Sequence, residues 1–280
     1  MFMRKVSIVA ISLFFLTSCE TAQLNRETVT AEENSVAESL FEDIQLSVDD
    51  NAKALNDTSA VDSNGVVIKG DSLCPCVEWT PNWVGLSNFL KFPKTITIDF
   101  GEDGCEGQDG RIRRGIVTGT FSNWPWVRNA RLDIVPEKYF VDDYKVEGTK
   151  SITYRGENLS GNRNWDISVV DGVITTPDGE TILWESERNN ELISGANDWD
   201  PWNNVYSITG MANGTNTSGR DYTAEIIKAL IVKIGCLYVT EGVLEIQPED
   251  LKVRSIDYGD GTCDRKAEVT IGKRTYDVNL

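Results

Sequence analysis

Tryptophans set among amides and carboxylates are the residues of this sequence best suited to meet a ligand. NWPWVRN holds Trp124 and Trp126. NDWDPWNN holds Trp199 and Trp202 among Asp198, Asp200, Asn203 and Asn204. Both stretches read as loops. Aromatic rings on a rigid scaffold stack on a ligand's flat apolar face, and neighbouring amides and acids take its hydroxyls, as a sugar requires. The competing reading folds these rings inward to plug the ends of a sheet. The other four tryptophans, Trp79, Trp83, Trp165 and Trp184, are assigned to packing, because Trp165 alternates with Ile167 and Val169 as a core face does.

Carboxylates are the second candidate chemistry. DFGEDGCEGQDG offers Asp99, Glu102, Asp103, Glu106 and Asp109, and DYGDGTCD offers Asp257, Asp260 and Asp264. Hard cations take closely spaced oxygen ligands on Gly-rich turns, but neither stretch has EF-hand spacing. Solvated turn carboxylates are the preferred reading. No cofactor is expected, and calcium is the alternative these turns leave open. A glycosidase needs only two carboxylates. Asp142, Asp143, Glu185 and Glu187 qualify by type, yet no motif selects a pair, so no catalytic residue is assigned. The chain has no histidine, which removes the usual general base and zinc ligand. A formal charge of −17 repels phosphate backbones, so nucleic acid is not an expected partner.

The two stretches share a further property, since IDFGEDGC ends at Cys105 and IDYGDGTC ends at Cys263. Aligned without gaps, they set Cys105 on Cys263, and upstream of each lies a matching stretch, CPCV (Cys74 to Val77) and CLYV (Cys236 to Val239). The expected disulfides are Cys74–Cys105 and Cys236–Cys263, with Cys76 as the competitor for Cys105. Disulfides fit an exported chain. The duplication reads as architecture, one strand and one acidic turn repeated.

The elements that must carry these residues are β. RGIVTGTF, KVEGTKSITY, WDISVV, NVYSITGMA, GVLEIQ and KAEVTI are short runs rich in Val, Ile, Thr and aromatics, and many alternate apolar with polar. Asp171-Gly172 in VVDGVI, Pro177 to Gly179 in TPDGE and Gly272 in TIGKRT are expected turns. About a dozen strands with short links imply antiparallel pairing. The expected fold is all-β, an antiparallel meander forming a sandwich or a strongly twisted open sheet, with a barrel as alternative. Upstream, TAEE (Thr30 to Glu33) reads as a capping box. Val36, Leu40, Phe41, Ile44 and Val48 recur at helical spacing, predicting a helix over about 30–50 that packs on the domain or a partner, or else remains spacer.

The N-terminus reads as a processing signal. Arg4 and Lys5 precede a short apolar run, Val6 to Leu16, and then LTSC ending at Cys19. This resembles the bacterial lipobox, which implies lipidation at Cys19. Glu20 rather than Asp follows, which favours the outer membrane. Residues 1–18 are then signal, 19–70 an anchored acidic tether and 71–280 the β domain, with its two cysteine segments at 74–105 and 236–263. The lipobox, the spacer, PKTITIDFGEDGC, YKVEGTK, VYSITG and SIDYGDGTC together resemble a family of secreted lipoproteins of Bacteroidetes-type bacteria. The resemblance covers most of residues 71–280 and implies no activity, cofactor or catalytic residue. The expected function is a non-enzymatic, lipid-anchored structural or ligand-binding module of the cell envelope. A surface glycan-binding protein using the loop tryptophans is the alternative, and a carbohydrate-active enzyme the third. The expected partners are the membrane, through the anchor, and a glycan or envelope protein.

Overall fold

The computed structural model describes residues 15–54, 77–82, 91–196, 203–236 and 238–279. One helix, α1 (Phe15–Ala54), precedes the strands β1 (Glu78–Pro81), β2 (Lys94–Asp99), β3 (Cys105–Glu106), β4 (Ile112–Phe121), β5 (Arg131–Val141), β6 (Tyr144–Glu157) and β7 (Arg163–Thr175). They continue with β8 (Thr181–Ser194), β9 (Val205–Thr215), β10 (Asp221–Lys233), β11 (Glu241–Pro248), β12 (Arg254–Asp260), β13 (Lys266–Ile271) and β14 (Arg274–Asn279). All join in one antiparallel sheet. Its strands follow chain order, except that β3 hangs off β4 while β2 pairs with β4. The sheet is open, ending at β1 and β14, so the barrel alternative is set aside.

Period-2 alternation gives the sheet two faces. On β8, Ile182, Trp184, Ser186 and Arg188 are buried while Leu183, Glu185 and Glu187 are exposed. The buried residues define an inner face, which α1 covers in part. Two hairpins follow the expected chemistry: Gly179 N–H returns to Thr176 C=O at 2.9 Å, and Gly272 adopts φ 65° between β13 and β14. Asp171-Gly172 is not a hairpin. It is a bulge inside β7, at a register shift between Val169 and Gly172. A bulge and a tight turn ask for the same backbone freedom, so Asp-Gly between apolar runs signals either. Further register shifts surround Gly115, Gly148 and Gly242, all at positive φ. At Gly115 a Cβ would stand 2.1 Å from the Lys138 carbonyl oxygen, so only glycine fits. Such bulges increase the twist of the sheet.

The helix is longer than expected and starts before the predicted capping box. Thr30 is mid-helix and buried, accepting from Asn216 Nδ2 at 3.2 Å. Glu33 accepts from Thr217 N–H and Oγ1 at 2.9 and 2.6 Å, in the β9–β10 turn, rather than capping its own helix. From there α1 crosses the strands. Phe41 stacks on Trp184, centroids 5.5 Å apart, over the backbone of Gly172. Val48 meets Gly119 of β4. Ala37, Leu40, Phe41, Ile44 and Val48 belong to the buried core, at about 1.5–3 kcal/mol for each large side chain. Residues assigned to the tether thus supply one wall of the core.

The repeated stretches occupy the two flanks of the sheet, β2 and β12. The same Asp-x-Gly contact recurs in each, at the end of β2 and within the last residues of β12. Asp99 Oδ1 accepts from Gly101 N–H at 2.8 Å, and Asp257 Oδ1 from Gly259 N–H at 2.9 Å. Cys236 and Cys263 form a disulfide. Cys105 is disulfide-bonded too; Cys74 and Cys76, the two candidates for its partner, lie outside the described residues.

Candidate ligand-binding groove

α1 covers only part of the inner face. Beside it the face continues as an apolar floor whose pattern follows from register. Phe121, Leu132, Ile152 and Ile167 stand opposite one another in sequence across β4 to β7. Tyr154, Trp165, Asn190 and Ile208 do the same across β6 to β9. Tyr206 pairs with Val232 on β10. The Trp165 ring lies 5.5 Å from Tyr154 and 6.2 Å from Tyr206, centroid to centroid. Burial pushes the Tyr206 phenol up from its ordinary value. The space between this floor and the helix is a groove of about 930 Å³, walled on the helix side by Glu38, Glu42, Gln45, Leu46 and Asp49. Trp165, assigned to packing by its alternation, is half-buried and lines this groove. Trp184 is core, 3% exposed.

The helix is held as a wall by a buried ionic lock. Asp43 accepts from Arg113 Nε at 3.1 Å, from Tyr139 Oη at 2.6 Å and from Arg111 Nη1 at 3.2 Å. Arg113 also reaches both oxygens of Asp109, at 2.9 and 2.7 Å. Its hydrogen bonds to Asp109 and Asp43 outweigh the opposing effect of burial and hold the guanidinium charged. The Arg113 hydrogen bond keeps Asp109 below the usual carboxylate range. Burial, with Asp43 alongside, drives Tyr139 well above its ordinary value. Two further pairs seat the helix, Glu42 on buried Lys150 at 2.7 Å and Glu38 on buried Arg188 at 3.5 Å.

The loop tryptophans divide. Trp124 and Trp126, between β4 and β5, stack with centroids 5.1 Å apart. Trp124 is half-buried, edge-on to Phe92 at 5.2 Å, with Lys94 Nζ 3.7 Å above its ring. Trp126 is 70% exposed, and its neighbours Asn123 and Pro125 line the groove. Trp199 and Trp202 lie outside the described residues. They belong to the connection from β8 to β9, of which the described Asn204 lines the groove.

The remaining candidates are apart from this site. Asp142 and Asp143 form the two-residue β5–β6 turn at φ 49° and 66°. They pair with Arg111 and Arg114, each at 2.8 Å. Glu185 and Glu187 stand on the outer face of β8. Glu185 lines a more open outer cleft of about 840 Å³ together with Asp171, Asp221, Glu249 and Asp250. In the acidic turns, Asp260 accepts from Thr262 Oγ1 at 2.7 Å and Asp264 from Lys266 N–H at 3.0 Å. Among the described residues no three His, Cys, Asp or Glu side chains converge as metal ligands. No described helix is long and apolar enough to cross a membrane. The side chain of Cys19 is outside the described residues. The chain matches no family model, no curated protein and no solved structure.

Proposed function

We propose that the protein is a non-enzymatic, lipid-anchored ligand-binding module of the bacterial cell envelope, and that the groove between α1 and the inner face of the sheet is its binding site. One observation carries the reading. An apolar, partly aromatic floor continues across β4 to β10 beyond the helix that covers its neighbour. The groove volume falls within the range of small-ligand sites, about 300–1,000 Å³, and its lining combines apolar and aromatic surface with a few polar groups. The anchor is the lipid on Cys19 that LTSC implies; acyl chains hold a protein at a membrane by about 0.8 kcal/mol per buried methylene.

Two measurements test it. Fatty-acid labelling in a bacterial host should mark the chain and be lost in Cys19→Ser. The exported Cys19→Ser chain in detergent-free buffer should bind the neutral apolar dye Nile red saturably. Leu46→Arg on the helix wall and Ile208→Arg on the floor should abolish that binding, while Met211→Arg on the outer face should not. Binding that is unsaturable, or equally strong in all three variants, removes the groove as the site.

A further inference from the structure

The course of α1 changes what a lipid on Cys19 would hold. A flexible tether over residues 19–70 would have a root-mean-square span of about 40 Å and would leave the sheet free to turn. Instead the chain is docked from Thr30 onward. Thr30 and Glu33 meet the β9–β10 turn through Asn216 and Thr217. Eighteen residues after Thr30, Val48 meets Gly119 on β4, and the Asp43–Arg113 pair lies between. Two separated attachments fix the direction of a helix axis as well as its position.

Cys19 lies on the same axis. α1 runs unbroken from Phe15 to Ala54, with neither Gly nor Pro among its 40 residues. Between Cys19 and Thr30 it carries Glu20, Ala22, Gln23, Leu24, Arg26 and Glu27, all strong helix formers. Extending a helix that is already docked adds no nucleation cost. Cys19 precedes Thr30 by eleven residues, or about 16 Å of helix. The groove mouth sits at the opposite corner of the sheet. Asn123, Pro125 and Trp126 belong to the β4–β5 connection, at the other end of the strands from the β9–β10 turn and five strands away. The turns near the anchor carry Asp178, Glu180, Glu249 and Asp250 against Arg220 and Lys252. This acidic surplus is repelled by anionic headgroups within about 8 Å, so these turns do not settle on the bilayer.

We propose that α1 is a rigid arm between the lipid and the sheet. It keeps the β9–β10 turn within about 16 Å of the bilayer surface and presents the groove mouth to the aqueous side, so the groove is loaded from there and not from the anchoring bilayer. This rests on the lipid anchor and the groove of the proposed function.

The test is energy transfer to an acceptor-labelled lipid, with the full lipidated chain reconstituted in vesicles of phosphatidylethanolamine and phosphatidylglycerol. The donor is attached to an azide-bearing amino acid at position 218 in the β9–β10 turn or at position 128 in the β4–β5 connection. Ser218 and Arg128 are both exposed. Transfer should be stronger from position 218 than from position 128. Seven Ala-rich helical residues inserted after Asn25, about 10 Å of helix, should lower transfer from both and keep their order. Thirty Gly-Ser residues at the same place should erase the difference. Melting temperatures verify that each variant is folded. Equal transfer from the two positions, stronger transfer from position 128, or a difference untouched by the Gly-Ser insertion overturns the arm. Flotation with the vesicles is measured on the same samples. A chain that floats and transfers equally removes the arm alone. A chain that does not float removes the anchor reading, and the arm with it.

Discussion

Asp43→Asn should unseat the helix that walls the groove. Asp43 and Arg113 leave only 2% and 1% of their side chains exposed. Removing one partner of a buried pair costs about 3–5 kcal/mol, because a charge remains without compensation. Here Arg113 keeps Asp109, which places the cost at the lower end, about 3–4 kcal/mol. In a domain of this size that lowers the melting temperature by about 6–16 °C. Thermal and urea unfolding, followed by near-ultraviolet circular dichroism, read the loss directly. The same signal reports the stacked Phe41 and Trp184, so the native spectrum should change as well. Asp142→Asn is the control: its pair with Arg111 is partly exposed, and its loss should cost under about 1 kcal/mol. If Asp43→Asn also costs under about 1 kcal/mol, the ionic lock does not hold the helix and the reasoning fails.

Three further outcomes follow from the same structure. Gly172→Ala sets a Cβ 2.1 Å from the backbone oxygen of Trp184 and 3.1 Å from the Phe41 ring. A backbone atom cannot rotate away, so urea unfolding should show a loss near the top of the about 1–3 kcal/mol range for overpacking. Cys236→Ser with Cys263→Ser reopens a loop of sequence separation 27, and chemical denaturation should show a loss of about 3.5 kcal/mol in the loop-entropy model. At high pH, burial first and then Glu38 push Tyr258 up to about 12, and Tyr139 and Tyr222 are raised too. Their folded pKa values exceed the ordinary value of about 10, so their contribution is intact below it and is lost as pH rises through 10 to 12. Absorbance at the tyrosinate band should show a group that ionises only with unfolding.

The sheet was legible because alternation is local. ILWESER carries its two faces in its own letters, and Gly179 and Gly272 mark their turns by backbone need. The helix was legible as a helix, through Val36, Leu40, Phe41, Ile44 and Val48. Its place in the core was not. Its inward side also carries Thr30, Asn34, Asp43, Ser47 and Asn51, all buried, and these dilute the apolar stripe that announces a packing face. Their partners are distant in sequence: Arg113 is 70 residues from Asp43, and Trp184, which donates from Nε1 to Asn34, is 150 residues away. Asp142 and Asp143 looked like reactive acids and are a turn, since Asp tolerates positive φ. The groove left no signature because most of its floor residues are of core type. Trp165 alternates with Ile167 like any packed residue, and only the course of α1 leaves it half-uncovered. The TAEE box misled for a related reason: Glu33 serves the β9–β10 turn instead of its own helix end.

The measurement that tests the account most directly is hydrogen–deuterium exchange of the exported chain with and without saturating Nile red. The account predicts protection concentrated in residues 150–154, 165–167 and 206–208 and on α1 between 38 and 49. Protection confined to the segments that line the outer cleft, 183–185 and 213–215, or none at saturation, would contradict it.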